Sequence, residues 1–168
     1  DLGDDGTHAR QLAVGLLDGV GAEPLHGSTI LRRMDATAMR RRIADAAVAR
    51  LATAGVDGKP HVVPICFAVE EDTLYFAVDA KPKRTTNLKR LRNIAANPAV
   101  SVLFDHYEDD WSRLWWVRVD GTARVVALGD AGHAIELLIR KYPQYARVRP
   151  VGPVVAISME RITGWSPE

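Results

Sequence analysis

The sequence predicts a mainly β fold, a small β-barrel with flanking helices, and three observations lead to it. Turn signals separate short runs of β-branched and alternating residues, and these runs outnumber the helical segments. The runs follow one another closely enough to pair as antiparallel hairpins, which favours a barrel over a layered parallel sheet. No GxGxxG motif follows a strand, so the sequence lacks the mark of a doubly wound dinucleotide-binding domain.

The barrel domain is predicted to span residues 34–168, because residues 1–33 differ from the rest in composition. Glycines and Pro24 interrupt every apolar stretch of this first segment. We interpret residues 1–33 as a leader, a cloning remnant or an overlong start. The alternative is an arm that wraps a neighbouring subunit.

The predicted element order is helix, three strands, short helix, two long strands, helix and strand. Asp35 can cap the first helix, whose basic run Arg40–Arg42 is expected to be a solvated face. Asp57-Gly58 predicts a tight hairpin turn with positive φ at both residues. The strands are expected within 48–54, 61–70, 73–80, 99–107, 113–128 and 153–165, the fifth bent near 120–121, and the later helices within 88–98 and 130–141.

Charge and composition exclude several classes of function. The formal net charge is +1, so no overall field attracts the chain to nucleic acid or to an anionic membrane. No apolar run approaches the roughly 20 residues that cross a bilayer. The single cysteine, Cys66, cannot form an intramolecular disulfide. Together with the acidic start of the chain, which lacks a secretory signal, this favours the cytoplasm.

The most informative segment is KPKRTTNLKRLRN, residues 81–93. Its basic and hydroxyl side chains, with Lys83, Arg84 and Thr85 at the centre, cluster where a strand gives way to a helix. A helix N-terminus attracts anions, and an arginine can hold a phosphate with two parallel hydrogen bonds. The segment therefore indicates a phosphate site, and the alternative is a solvated basic turn.

The order and spacing of several motifs resemble the FMN-binding split-barrel superfamily of pyridoxamine 5′-phosphate oxidases. They are LAT…DGKPHVVPI, KPKRTTNLKRLRNIAANPAVSVLFDHY and DDWSRLWWVRVDGTARV. Within the superfamily the sequence is most similar to the actinobacterial branch that uses the deazaflavin coenzyme F-420, over about residues 36–165. The resemblance implies a split β-barrel of the FMN-binding type and a homodimer with the cofactor at the subunit interface.

The resemblance also implies which residues hold the cofactor. The phosphate would lie at the turn after the third predicted strand, and the ring along the backbone of the second. Trp111, Trp115 or Trp116 would form part of the pocket wall, with packing in the core or at an interface as the alternative. As strand neighbours, Trp115 and Trp116 must face opposite sides. The implied cofactor-binding residues are Val63, Pro64, Ile65, Lys83, Arg84, Thr85, Thr86, Asn87, Trp115 and Trp116.

The implied function is hydride transfer from reduced coenzyme F-420 to a conjugated organic acceptor such as a quinone, an enone or a tetrapyrrole. FMN is the alternative cofactor, with an oxidase or reductase activity, and a non-enzymatic cofactor carrier is a third interpretation. Additional basic residues suit the polyglutamate tail of the deazaflavin, and the alternative is a solvated helix face. They are Lys81, Lys89, Arg90 and Arg92. The end RITGWSPE, with only Arg161, departs from the branch that oxidises pyridoxamine phosphate.

No catalytic acid, base or metal ligand can be named from the sequence. His61 and His106 lie on predicted strands, where a lone histidine is usually structural, and Cys66 is expected to be a small buried hydrophobe. The acidic run 108–110 is predicted to be a solvated turn rather than a metal site. The expected chemistry is therefore that of the cofactor, which the protein binds, orients and shields.

Overall fold

The structure, a computed structural model, describes residues 34–78 and 88–167, with Leu128 described by its backbone only. Its seven strands are β1 (Ala49–Ala54), β2 (Pro60–Ile65), β3 (Ala68–Glu70), β4 (Thr73–Ala77), β5 (Ala99–His106), β6 (Trp115–Val125) and β7 (Val154–Trp165). The α-helices are α1 (Ala36–Asp45), α2 (Lys89–Ala96), α3 (Ala131–Lys141) and α4 (Gln144–Arg147), and short 3₁₀ turns span Trp111–Arg113 and Leu128–Asp130.

All seven strands form one antiparallel sheet in the order β2-β1-β5-β6-β7-β4-β3. The strands at its two edges, β2 and β3, are consecutive in sequence, and only Cys66 and Phe67 separate them. Consecutive Cα atoms are 3.8 Å apart, so the ends of β2 and β3 lie within about 11 Å of each other. The sheet must therefore curl until its edges nearly meet. This confirms the predicted mainly β split barrel with flanking helices.

The single strand predicted over residues 61–70 is wrong, because β2 and β3 divide it. Pairing with β1 ends at Ile65, opposite Ala49, and pairing with β4 begins at Ala68, opposite Tyr75. The apolar run hides this break, since buried Phe67 lies within it and continues the hydrophobic pattern. The chain leaves one edge of the sheet and enters the other without a turn residue.

The core fills the inside of the curled sheet. Alternate residues of the central strands, such as Leu51, Val102 and Val117, point inward and are fully buried. Helix α1 packs on β6 and β7, and α2 packs on β1 and β6. Each helix contributes a buried isoleucine to this core, Ile43 from α1 and Ile94 from α2. Helix α3 packs on β3, β4 and β7 over a second apolar cluster.

Local signals are confirmed at the first helix and corrected at the first hairpin. The Asp35 side chain accepts a 2.8 Å hydrogen bond from the Ala38 N–H, as its predicted capping role requires. The Asp57-Gly58 turn has positive φ only at Gly58, at 67°. The Gly58 N–H donates to Gly55 O, so residues 55–59 form a longer loop rather than the two-residue turn predicted.

The bend predicted near residues 120–121 is a β-bulge. Asp120 pairs with Arg161 and Gly121 pairs with Met159, so Glu160 is the extra residue on β7. The Thr122 hydroxyl donates a 2.6 Å hydrogen bond to the Glu160 carboxylate across the two strands. Gly121 lies so close to β7 that a Cβ atom there would be 2.0 Å from Ser158 O.

We expect Gly121→Ala to lower the free energy of unfolding by about 3 kcal/mol or more, because a backbone carbonyl must shift to admit the methyl group. Urea unfolding followed by circular dichroism measures this change. Gly132→Ala is the control, since nothing lies within 4 Å of its added Cβ. A helical Gly→Ala change there should stabilise the chain by about 0.5–1 kcal/mol. Equal stability of the two variants would contradict the prediction.

Candidate functional site

Strand β2 forms one edge of the sheet, and within the described residues only β1 pairs with it. Pro64 lies opposite Arg50 in this pairing. A proline has no N–H to donate, so it leaves the ladder intact only if its nitrogen faces the open edge. Val62, two residues earlier, then directs its own N–H and C=O to the same edge. The open edge thus explains why a proline is tolerated here.

The outer face of the sheet continues from this edge as a platform that crosses four strands. Pro64, Arg50, Leu103 and Arg118 lie side by side in one row from β2 to β6. Trp116 lies in the adjacent row on the same face, opposite Asp105. A shallow cavity of about 310 Å³ opens there, lined by Leu103, Asp105, Tyr107, Trp116 and Arg118.

This outer face has no cover within the described part of the chain. Helix α3 packs over β3, β4 and β7, whereas α1 and α2 pack against the core inside the sheet. The Val62 side chain on this face is 61% exposed. At the end of this face away from Trp116, a groove of about 480 Å³ runs over small side chains, including Ala52, Ala54 and Ser101. We define the outer face of β2, β1, β5 and β6 as the uncovered face.

Four charged side chains of the uncovered face form two pairs. The Arg50 guanidinium lies 2.9 Å from the Asp105 carboxylate. Asp120 accepts a 2.6 Å hydrogen bond from the Ser101 hydroxyl and a 3.2 Å bond from Arg118 Nε. Because each arginine here is balanced by a carboxylate, the part of the face between Pro64 and Trp116 combines apolar area with little net charge.

Trp115 and Trp116 face opposite sides of β6, as strand geometry requires. Trp115 is 9% exposed and belongs to the core, whereas Trp116 is half-buried on the uncovered face. The Arg42 guanidinium lies 4.8 Å from the centroid of the Trp115 ring. The expectation that Arg40–Arg42 form a solvated face is therefore wrong for Arg42, because the indole holds its side chain. Sequence spacing gives no sign of a contact between a helix and a distant strand.

The Tyr142 hydroxyl fixes the connection between β2 and β3. It accepts a 3.0 Å hydrogen bond from the Phe67 N–H. Its own proton lies within reach of two carbonyl oxygens, those of Phe67 (2.9 Å) and Ala47 (3.0 Å). Burial raises the pKa of this hydroxyl above its usual value. Tyr142 thereby sets where β2 ends, although it lies 75 residues from Phe67 in the sequence.

A lysine packs against the same connection. Lys141 Nζ lies 3.7 Å from the centroid of the buried Phe67 ring. Burial lowers the pKa of Lys141 to about 8, and this outweighs the attraction of the Asp45 carboxylate. Cys66 beside it is half-exposed, so the expectation of a buried thiol is wrong. The chain turns outward at Cys66 before Phe67 enters the core.

The structure brings some of the predicted cofactor residues together and leaves others undescribed. Val63, Pro64 and Ile65 lie on the edge strand, and Trp116 shares the outer face with Pro64. Lys83, Arg84, Thr85, Thr86 and Asn87 lie outside the described residues, as do residues 1–33. In the described ranges no three His, Cys, Asp or Glu side chains converge as metal ligands, and no helix is long and apolar enough to span a membrane.

Comparison with known protein families identifies the family of this sequence. The model of the pyridoxamine 5′-phosphate oxidase family matches residues 36–166. The chain belongs to this family. No curated protein matches its sequence. The oxidase-family fold typically binds a flavin, and an open strand edge beside an apolar platform suits a flat tricyclic ring with polar groups along its rim.

Solved structures with the oxidase-family fold bind different groups. The chain is 24% identical to a FAD-binding protein from Mesorhizobium loti, with a TM-score of 0.61 and coverage of 81% of this chain and 97% of that one. A conserved protein from Mycobacterium tuberculosis is 21% identical (TM-score 0.64, coverage 79% and 85%). The heme storage protein HutZ of Vibrio cholerae is 15% identical (TM-score 0.61, coverage 76% and 94%). At these identities the likeness establishes the fold alone.

We expect Tyr142→Phe to lower the free energy of unfolding by about 1–3 kcal/mol, because it leaves the Phe67 N–H without its acceptor. Chemical denaturation of the variant measures the loss. Tyr107→Phe is the matched control, since Tyr107 is 68% exposed and its change should stay within about 0.5 kcal/mol. Equal stability of the two variants would show that the Tyr142 hydroxyl does not stabilise the β2–β3 connection.

Proposed function

We propose that the chain is a homodimeric oxidoreductase that binds coenzyme F-420 and passes a hydride from the reduced cofactor to a conjugated organic acceptor. The observation that supports this most is the open β2 edge beside the uncovered face. Backbone groups at Val62 and Pro64 are available to the polar rim of a ring. The apolar surface that includes Leu103 and Trp116 is available to the ring or to a partner subunit.

The basic segment of residues 81–92 supports the deazaflavin over FMN. FMN ends in one phosphate, whereas coenzyme F-420 continues from its phosphate into a polyglutamate tail. We propose that Lys83, Arg84 and Thr85 hold the phosphate. Lys89 and Arg92, both exposed on α2, would then be free to meet the acidic tail.

The residues at the proposed site would bind, orient and shield rather than exchange protons. A bound reduced deazaflavin supplies the hydride, and solvent supplies the proton that the reduced acceptor then takes up, which leaves the protein no covalent step to perform. The uncovered face carries paired arginines and carboxylates in place of an isolated acid or base. Closure of this face by a second subunit would exclude water from the ring, which is the shielding that a hydride donor needs.

Two other functions use the same site. An FMN-dependent oxidase or reductase needs only the phosphate group and the ring platform. A carrier protein that binds the cofactor without turnover is favoured because the described carboxylates of the uncovered face, Asp105 and Asp120, are each paired with an arginine. Cofactor preference separates the first from our proposal, and turnover separates the second.

The deciding measurement is a titration of the purified cofactor-free chain with coenzyme F-420 and, separately, with FMN, followed by tryptophan fluorescence. We expect micromolar or tighter binding of coenzyme F-420 and weaker binding of FMN, because only the former reaches the additional basic residues. Reduced coenzyme F-420 is then mixed anaerobically with a panel of quinones and enones. Tight binding without acceptor-dependent oxidation would identify a carrier, and a preference for FMN would overturn the choice of cofactor.

Arg84→Ala tests the proposed phosphate contact within the same titration. Loss of a charge-assisted hydrogen bond should weaken binding of coenzyme F-420 by about 1–3 kcal/mol, roughly 5- to 150-fold in Kd. Arg140→Ala is the control, because Arg140 is exposed on α3 over the opposite flank of the sheet. Unchanged affinity in Arg84→Ala would place the phosphate elsewhere.

The proposed dimer is tested with two valines of equal exposure. Val62 on the uncovered face is 61% exposed, and Val148, which follows α4, is 62% exposed. Light scattering should give a dimer for the parent chain and for Val148→Glu. Val62→Glu should give a monomer, since a buried unpaired carboxylate is costly at an interface. A monomeric parent chain, or a dimeric Val62→Glu, would contradict the proposed interface.

A further inference from the structure

A second cavity lies near the start of β6, apart from the uncovered face. It has a volume of about 450 Å³, and its lining is Arg42, His106, Ser112, Arg113 and Trp115. These residues come from α1, the end of β5, the short 3₁₀ turn and the first residue of β6. Two guanidinium groups, an imidazole and an indole therefore line one cavity, and none of the lining residues is a carboxylate.

Arg42 is held in place without a counter-ion. Its guanidinium lies 4.8 Å from the centroid of the Trp115 ring, and His106 stacks on the same ring with an interplanar angle of 18°. Within residues 34–78 and 88–167, no carboxylate reaches ion-pair distance of Arg42. The side chain is half-buried, so its position is fixed by packing while its hydrogen-bond donors stay available.

Arg113 is paired with a carboxylate through its Nε only. Its Nε lies 2.9 Å from Glu108 Oε1, and within the described residues its two Nη groups make no ion pair or hydrogen bond. Glu108 also lies 3.3 Å from His106 Nε2. The Ser112 hydroxyl donates to Asp110, so it does not serve as a donor to the cavity. Glu108 and Asp110 thus offset the charge of Arg113. The charge at the cavity that no described carboxylate offsets is that of Arg42, and both guanidinium groups keep unused N–H donors.

We propose that this cavity binds a small organic anion through a carboxylate or phosphate group that lies between Arg42 and Arg113. A guanidinium group matches the two oxygens of either anion with parallel hydrogen bonds. The cavity does not use the basic segment of residues 81–92, and the proposal does not rest on the binding of coenzyme F-420. The site is therefore distinct from the proposed cofactor site in the residues that form it.

Isothermal titration of the full, cofactor-free chain with sodium benzoate and with inorganic phosphate, at matched ionic strength, tests the proposal. We expect at least one of the two anions to bind saturably at a site that Arg84→Ala, which removes the proposed phosphate contact of the cofactor, leaves intact. Arg42→Gln and Arg113→Gln should each raise the Kd about tenfold or more, as expected for a lost charge-assisted contact. Binding of benzoate alone would indicate a carboxylate ligand, and binding of phosphate alone a phosphorylated one.

Arg41→Gln is the matched control, because Arg41 is the exposed neighbour on the same helix and its loss changes the net charge equally. It should leave the Kd unchanged. Equal weakening in Arg41→Gln and Arg42→Gln, or no saturable binding of either anion to the parent chain, would overturn the proposal. Thermal unfolding without anion checks that each variant is folded. If Arg42→Gln does not fold, the Kd of Arg113→Gln decides the test.

Discussion

The architecture depends on one short connection, the two residues between the edge strands of the sheet. Because only Cys66 and Phe67 separate Ile65 from Ala68, the two edges cannot diverge, and the seven strands must curl around a common core. The connection lacks ladder hydrogen bonds, and the Tyr142 hydroxyl replaces them with contacts to the Phe67 backbone. A helix that follows six strands in the sequence therefore fixes the point at which the sheet nearly closes.

The curl also decides which surfaces remain available. Inside the sheet, alternate side chains and the two helices α1 and α2 form one core. Outside it, α3 packs against β3, β4 and β7, and within the described residues no helix packs over β2 and β5. The open edge at Pro64 and the platform at Trp116 belong to this remaining side. A site for a flat ring and an interface for a second subunit would thus use the same surface, so binding and assembly would depend on each other.

The sequence predicted features that local chemistry controls, and it failed where distant contacts decide. The Asp35 cap, the positive φ of Gly58 and the bend at Gly121 follow from residue type and near neighbours. The break between β2 and β3 does not, because a contact with Tyr142 from far along the chain holds Phe67 out of the ladder. Arg42 was missed for a similar reason, since only the fold brings α1 to Trp115. Of the predicted cofactor residues, Pro64 on β2 and Trp116 on β6 lie on the same outer face. The alternation of side chains along a strand was enough to predict that Trp115 faces the other side.

That alternation relates the two candidate sites to each other. Asp105 lies opposite Trp116, and His106 lies opposite Trp115, so two adjacent rungs of the β5–β6 ladder point to opposite faces. The pair Asp105 and Trp116 contributes to the uncovered face, and the pair His106 and Trp115 contributes to the cavity beside Arg42. A slip of one residue between β5 and β6 would exchange the two sets of side chains and destroy both sites together. The β-bulge that introduces the extra residue lies on β7 instead, where it bends the sheet without altering the pairing of β5 with β6. The register of these two strands is therefore the structural element that both proposed sites have in common.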